Sequence, residues 1–166
     1  MTVRTPYVAV VGPGIASPDE DAMAEEVGRF LARRGAVVLS GGMTGAMEAA
    51  SRGAKAEGGM TIGILPGTSR TDGNPYLDVA IPTGLGEIRN TLVVRAADVV
   101  IAIAGEFGTL SEIAFALKIG TPVIGLRTWE LGKSGEPVEA FEIARTPAGA
   151  VEAAARLWAR PGTNSS

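Results

Sequence analysis

The run Val99-Val100-Ile101-Ala102-Ile103, followed at once by Ala104-Gly105-Glu106-Phe107-Gly108-Thr109-Leu110-Ser111-Glu112, constrains the fold more than any other stretch. A strand built only of apolar, mostly β-branched residues has no face for water, so it belongs inside a parallel sheet covered on both sides. The glycine-bearing turn then delivers its carboxyl end to a helix N-terminus. There the first backbone N–H groups lack intrahelical partners, and the helix dipole adds partial positive charge. Such a place accommodates an anion, most often a phosphate. Glu112 is expected in the first turn of that helix. A carboxylate beside an anion cradle is an odd choice for binding alone and brings chemistry into consideration.

The same strand-turn-helix pattern recurs along the chain. Tyr7-Val8-Ala9-Val10-Val11 reads as a strand ending in Gly12-Pro13-Gly14. Ser17-Pro18-Asp19-Glu20 is a capping box with proline at the first helical position. It opens a helix to about Arg34 with Met23, Val27, Phe30 and Leu31 on one face, stopped by Gly35. Residues 36–40 form a second strand, and Gly41-Gly42-Met43-Thr44-Gly45 leads into a helix over 46–57. Residues 60–65 form a third strand, 66–75 a loop, and 78–81 a short extended piece. The spacing of Leu85, Ile88, Leu92 and Ala96 predicts a helix over 85–97. After the Val99 strand come a helix over 108–119, a strand over 122–126, a loop over 129–136 and a last helix over 147–159. This order predicts a Rossmann-like, doubly wound, mostly parallel α/β sheet with helices on both faces. Residues 1–160 are expected to form a single domain and 161–166 a disordered tail. In such sheets ligands sit at the carboxyl ends of the strands, near the switch in strand order, where all three glycine-bearing loops fall.

Composition narrows the chemistry. Among 166 residues there is neither cysteine nor histidine, so thiol nucleophiles, disulfides and the commonest metal ligands and general base are excluded. No metal site is expected. Net charge is −3 with both signs interspersed, which argues against a nucleic-acid partner. The apolar run near Tyr7 follows Arg4 but is short, is broken by Gly12-Pro13-Gly14 and lacks a cleavage site, so it does not read as a signal peptide. No segment approaches a membrane span. A cytoplasmic protein is expected.

Each loop has a plain packing explanation beside the functional one. Gly12-Pro13-Gly14-Ile15-Ala16-Ser17 has serine where the dinucleotide fingerprint has its third glycine, and the second strand ends in Ser40-Gly41 instead of an acidic residue. Binding of NAD is disfavoured, and a tight turn suffices. Gly41, Gly42 and Gly45 serve either close helix-to-strand packing or ligand approach. An arginine on a helix is usually a solvated surface group, yet Arg89 lies near the strand ends, within reach of the crevice.

Taken together, Gly41-Gly42-Met43-Thr44-Gly45-Ala46-Met47, Arg89 and Gly105-x-x-Gly108-Thr109-x-x-Glu112 resemble the LONELY GUY-type family, often mislabelled lysine decarboxylases. The resemblance runs from about Tyr7 to Leu126. It implies Rossmann-like phosphoribohydrolases that cut the N-glycosidic bond of cytokinin or purine riboside 5′-monophosphates. It further implies a catalytic arginine at Arg89, a catalytic glutamate at Glu112 and a phosphate turn at Gly105, Gly108 and Thr109. Two positions depart from the pattern: Glu106 replaces a glycine of the phosphate turn, and Asn90 replaces a lysine. The stretch 53–90 is similar to a sister branch that includes the molybdenum cofactor carrier proteins, which bind a phosphate-bearing pterin without turning it over.

The resulting expectation is one crevice for a phosphate-bearing purine- or pterin-type ligand, with no cofactor required and molybdenum cofactor or a nucleotide as the bound group. Arg89 and Glu112 are its candidate catalytic residues. Gly12, Gly14, Gly41, Gly42, Gly45, Gly105, Glu106, Phe107, Gly108 and Thr109 are its candidate binding residues. The alternative is a nucleoside 5′-monophosphate phosphoribohydrolase. Glu106 bears on the choice, because two like charges about 4 Å apart cost roughly 4 kcal/mol at an effective dielectric near 20. That cost disappears if Glu106 points outward or pairs with Arg89 or Arg95. The helix over 108–119 is apolar nearly all round, with Leu110, Ile113, Phe115 and Leu117. A homodimer through this helix and the Leu85 segment is expected.

Overall fold

A computed structural model describes residues 4–158. The tail over 161–166 and the helix end at Ala159 lie outside the described residues. Among these residues seven strands form one parallel sheet in the order β4-β3-β2-β1-β5-β6-β9. They are β1 (Tyr7–Val11), β2 (Val37–Ser40), β3 (Thr61–Leu65), β4 (Val79–Pro82), β5 (Val99–Ile103), β6 (Val123–Leu126) and β9 (Glu142–Ala144). A separate antiparallel ribbon pairs β7 (Leu131–Lys133) with β8 (Glu136–Val138). The chain turns back between β2 and β5, both neighbours of β1, so the switch in strand order lies beside β1.

The helices cover both faces, as the sequence predicts. On one face α1 (Pro18–Arg33), α2 (Ala46–Ala56) and α5 (Pro147–Trp158) bury Val27, Leu31, Ala50 and Val151 against Val8, Val10, Ile101 and Ile103. On the other, α3 (Asn90–Ala96) and α4 (Phe107–Ile119) bury Val93, Val94, Ile113 and Ala116 against Ala9, Val11, Val100 and Ala102. The capping box is present in full: Ser17 Oγ accepts from the Glu20 amide, and the Glu20 carboxylate accepts from the Ser17 amide. Where α1 meets α2, Gly28 and Gly53 bring backbone onto backbone. A Cβ on either would fall on the carbonyl of Ala50 or Glu25.

Three expectations are corrected. The segment over 85–97 is not one helix: Gly84 and Gly86 take positive φ (65° and 59°), a 3-10 turn spans Gly86–Arg89, and α3 follows. The loop over 129–136 contains β7 and the start of β8, and β9 extends the sheet beyond β6. Because α4 begins at Phe107, Glu112 occupies its second turn. No described helix is long and apolar enough to cross a membrane.

Candidate functional site

The loops after β1 and β5 meet at the switch point and enclose a crevice of about 180 Å³. Its walls include Gly12 and Gly14 from the first loop and Glu106, Gly108 and Thr109 from the second. Arg89 and Glu112 complete the set. The structure therefore brings together seven of the candidate residues. The other five stand behind or outside it. Gly41 lies against the Arg89 guanidinium, where a Cβ would come within 2.8 Å of Cζ. Gly42 and Gly45, both at positive φ, have no room for a side chain against Leu65 and Pro13 respectively. Gly105 (φ 98°) is similarly closed by Thr109. Phe107 is 79% exposed and packs outward on Trp129, ring centroids 5.6 Å apart.

The N-terminus of α4 is open toward the crevice. Leu110 N–H returns to the Glu106 carbonyl, while the amides of Phe107, Gly108 and Thr109 precede the first intrahelical bond. Nothing stands within 4 Å of the point where a Gly108 side chain would project. Free amides, a helix dipole and open space together suit an anion.

Arg89 and Glu112 carry the electrostatics. They are 8% and 9% exposed, an unusual depth for charged groups. Burial pushes the Glu112 carboxyl up to about 7, with the nearby Arg89 charge opposing the rise. Burial likewise lowers the Arg89 pKa, against the pull of Glu112 and Glu87. Arg89 Nη1 donates to Asn90 Oδ1, whereas its buried Nε has no partner among the described residues. The asparagine in place of the family's lysine thus supplies an acceptor that a lysine cannot.

Glu106 lines the crevice, and no ion pair among the described residues joins it to Arg89 or Arg95. Arg95 instead lies over the Phe115 ring, 5.8 Å from its centroid. Pro13, Met47 and Asn90 also line the wall; the sequence motifs contain them, but they were not among the candidate site residues. Trp129 was missed as well: its indole Nε1 donates to the Glu106 carbonyl (3.2 Å) and fixes the turn. Its signal was available, since the residues just after β6 must emerge at the same sheet edge.

A model of the SLOG cluster4 family matches residues 5–153, and the chain belongs to that family. The fold is similar to the molybdenum cofactor binding protein of the phototrophic bacterium Rippkaea orientalis. That match has a TM-score of 0.84 and 38% identity, over 93% of this chain and 98% of the other. It is also similar to the molybdenum cofactor carrier protein of Chlamydomonas reinhardtii, with TM-score 0.84 and 34% identity over 95% and 100% of the two chains. An uncharacterised protein of Archaeoglobus fulgidus is 36% identical over 144 residues, 87% of this chain and 91% of its own. The LONELY GUY-like resemblance, on the side of the molybdenum cofactor carriers, holds.

Proposed function

We propose that the protein binds a phosphate-bearing, purine- or pterin-type ligand at the switch-point crevice and acts as a molybdenum-cofactor-carrier-like binding protein. The observation that carries this reading is the open N-terminus of α4, facing a crevice whose wall holds the buried Arg89. A free-amide turn receives a phosphate, and a buried guanidinium with an unpartnered Nε supplies a donor to a charged ligand. The residues present therefore fit the phosphate end of a phosphopterin: Gly108 and Thr109 would hold it through their amides, with Arg89 alongside.

The test is native mass spectrometry of the purified protein together with calorimetry. A co-purifying phosphopterin or nucleotide, and saturable binding of AMP or inorganic phosphate, are expected. Absence of any anion binding at millimolar concentration would remove the reading.

Glu112 favours a second reading, N-glycosidic hydrolysis of a nucleoside 5′-monophosphate. A carboxyl that titrates near 7 exchanges its proton at working pH, and Glu112 would orient water and stabilise oxocarbenium-like charge at the anomeric carbon. Glu112→Gln should then abolish release of free base while largely preserving binding. Base release that persists undiminished in this variant counts against the assignment.

Assembly belongs to the same proposal. Val79, Ile81, Leu85, Ile88 and Leu92 are exposed. Val79 and Ile81 pair in register with Ile62 and Ile64 of β3, on the sheet face that carries α3 and α4. A second copy covering this apolar face gives a homodimer, measured as twice the chain mass by light scattering at micromolar concentration; a monomer would contradict it.

A further inference from the structure

The crevice is small for a whole nucleotide or pterin, since pockets that enclose such molecules run from about 300 to 1,000 Å³. The ring must therefore leave it, and the turn over 104–106 has a second hollow beside it. This groove, about 390 Å³, is lined by Glu20, Ala104, Gly105, Arg127, Thr128 and Trp129. Ala104 and Arg127 follow β5 and β6 directly, whose last residues Ile103 and Leu126 are paired in register. Both adopt left-handed backbone, φ 45° and 52°. That conformation is uncommon for residues with side chains, and strain of this kind gathers at ligand sites. The Thr128 hydroxyl donates to the Ala104 carbonyl and the Trp129 indole to that of Glu106, so the β6 loop is fastened to the turn that walls the crevice.

Two opposite charges line the groove. Glu20 uses Oε2 to accept from the Ser17 amide, which leaves Oε1 available. Arg127 is exposed and enters no ion pair among the described residues. A carboxylate only accepts, a guanidinium only donates, and Trp129 adds a flat aromatic surface. A phosphate does not match that set, because Glu20 repels it. Adenine does not match it either, since its pairing edge sets one donor beside an acceptor. The 2-amino-4-oxo edge shared by pterins and guanine does: an exocyclic amine and a ring N–H lie side by side for a carboxylate, and a carbonyl oxygen follows for a guanidinium.

Resting on the reading that the phosphate end occupies the crevice, we propose that this groove takes a 2-amino-4-oxo ring and selects pterin- or guanine-type ligands over adenine-type ones. Glu20 reads the amine and ring N–H, Arg127 the carbonyl oxygen, and Trp129 stacks on the ring.

The test compares GMP, which carries the pterin-like edge, with AMP on the full chain by calorimetry, with tryptophan fluorescence as a second readout. GMP should bind at least tenfold more tightly and quench emission more strongly. Glu20→Gln should erase the preference, by weakening GMP, because an amide no longer offers two acceptors to the amine and ring N–H. Glutamine at this helix position still accepts the Ser17 amide, so the start of α1 is kept. Arg127→Asn, a residue tolerated in left-handed backbone, should weaken GMP several-fold. Equal affinities in the unaltered protein, or a preference that survives Glu20→Gln, would overturn the ring assignment and leave the phosphate crevice standing. Failure of GMP, AMP and inorganic phosphate alike to bind would overturn both.

Discussion

The loops into α2 and α4 read alike in the sequence, each a glycine-rich turn from a buried strand into a helix, and the structure uses them in opposite ways. At α2 the terminus is closed: the Pro13 carbonyl accepts from the Ala46 amide, and Thr44 Oγ1 donates to the Gly14 carbonyl. Asn74 ties down the rest through Gly42 and Met43. At α4 the terminus is left open to the crevice. The sixth residues of the two helices differ in the same sense. Ser51 is buried with its hydroxyl satisfied by the Met47 carbonyl, whereas Glu112 is a buried carboxyl that touches the crevice. Glycine content marks close approach of backbone to something; which atoms come close decides whether that something is protein or ligand.

The contrast is most easily broken at Gly45. Gly45→Ala, at φ 67° against the Pro13 carbonyl, should cost on the order of 3 kcal/mol. Chemical denaturation would show this, and a loss below 1 kcal/mol would mean the α2 turn is looser than its contacts imply. Next in size is Glu112. The folded protein binds this proton at about 7, the unfolded chain near 4.5, so between those values folding takes up a proton. Stability accordingly falls as pH rises through that window and levels off above it. Glu112→Gln removes the burden and should raise stability by roughly 2 to 3 kcal/mol at pH 8 but by less than about 1 at pH 5. Equal effects at both pH values would show that the carboxyl is not perturbed.

Gly108→Asp tests the open turn. Its side chain has space, so the fold should survive while AMP or phosphate binding falls at least tenfold. Unchanged affinity would leave the two turns alike after all. The smallest effect is expected at exposed Glu106, where solvent screens the charge. Glu106→Gly should tighten AMP binding by about threefold to tenfold and, if Arg89 and Glu112 are competent, bring out release of free base. No change in affinity or rate would mean that the carboxylate never opposes the ligand.

Most of the sheet was legible because β1, β2, β3, β5 and β6 are nearly unbroken apolar runs. The start of α1 was legible because Ser17 and Glu20 cap each other. The outer ribbon and the last edge strand were not: β7, β8 and β9 are three residues each, mostly exposed, with no alternation to betray them. The break before α3 was hidden because Leu85, Ile88 and Leu92 keep helical spacing although Gly84 and Gly86 leave helical backbone. In the crevice, Arg89 and Glu112 were found through their motifs. Asn90 showed only as a departure from the family pattern, its role as acceptor for the Arg89 guanidinium being invisible in the sequence, and Trp129 was missed because its contact with Glu106 is made across the fold.

The meeting of α1 and α2 at Gly28 and Gly53 has a mechanical consequence. With main chain resting on main chain at these two glycines, and Arg52 of α2 bonded to Asp21 and Glu25 of α1 beside them, the two helices have little room to shift against each other. The opposite side is more lightly built, with Arg89 carried by the seven-residue α3 and the short turn before it. Amide exchange should be slower across α1 and α2 than over 84–92, which would make the segment that holds the guanidinium the one that yields to an arriving ligand.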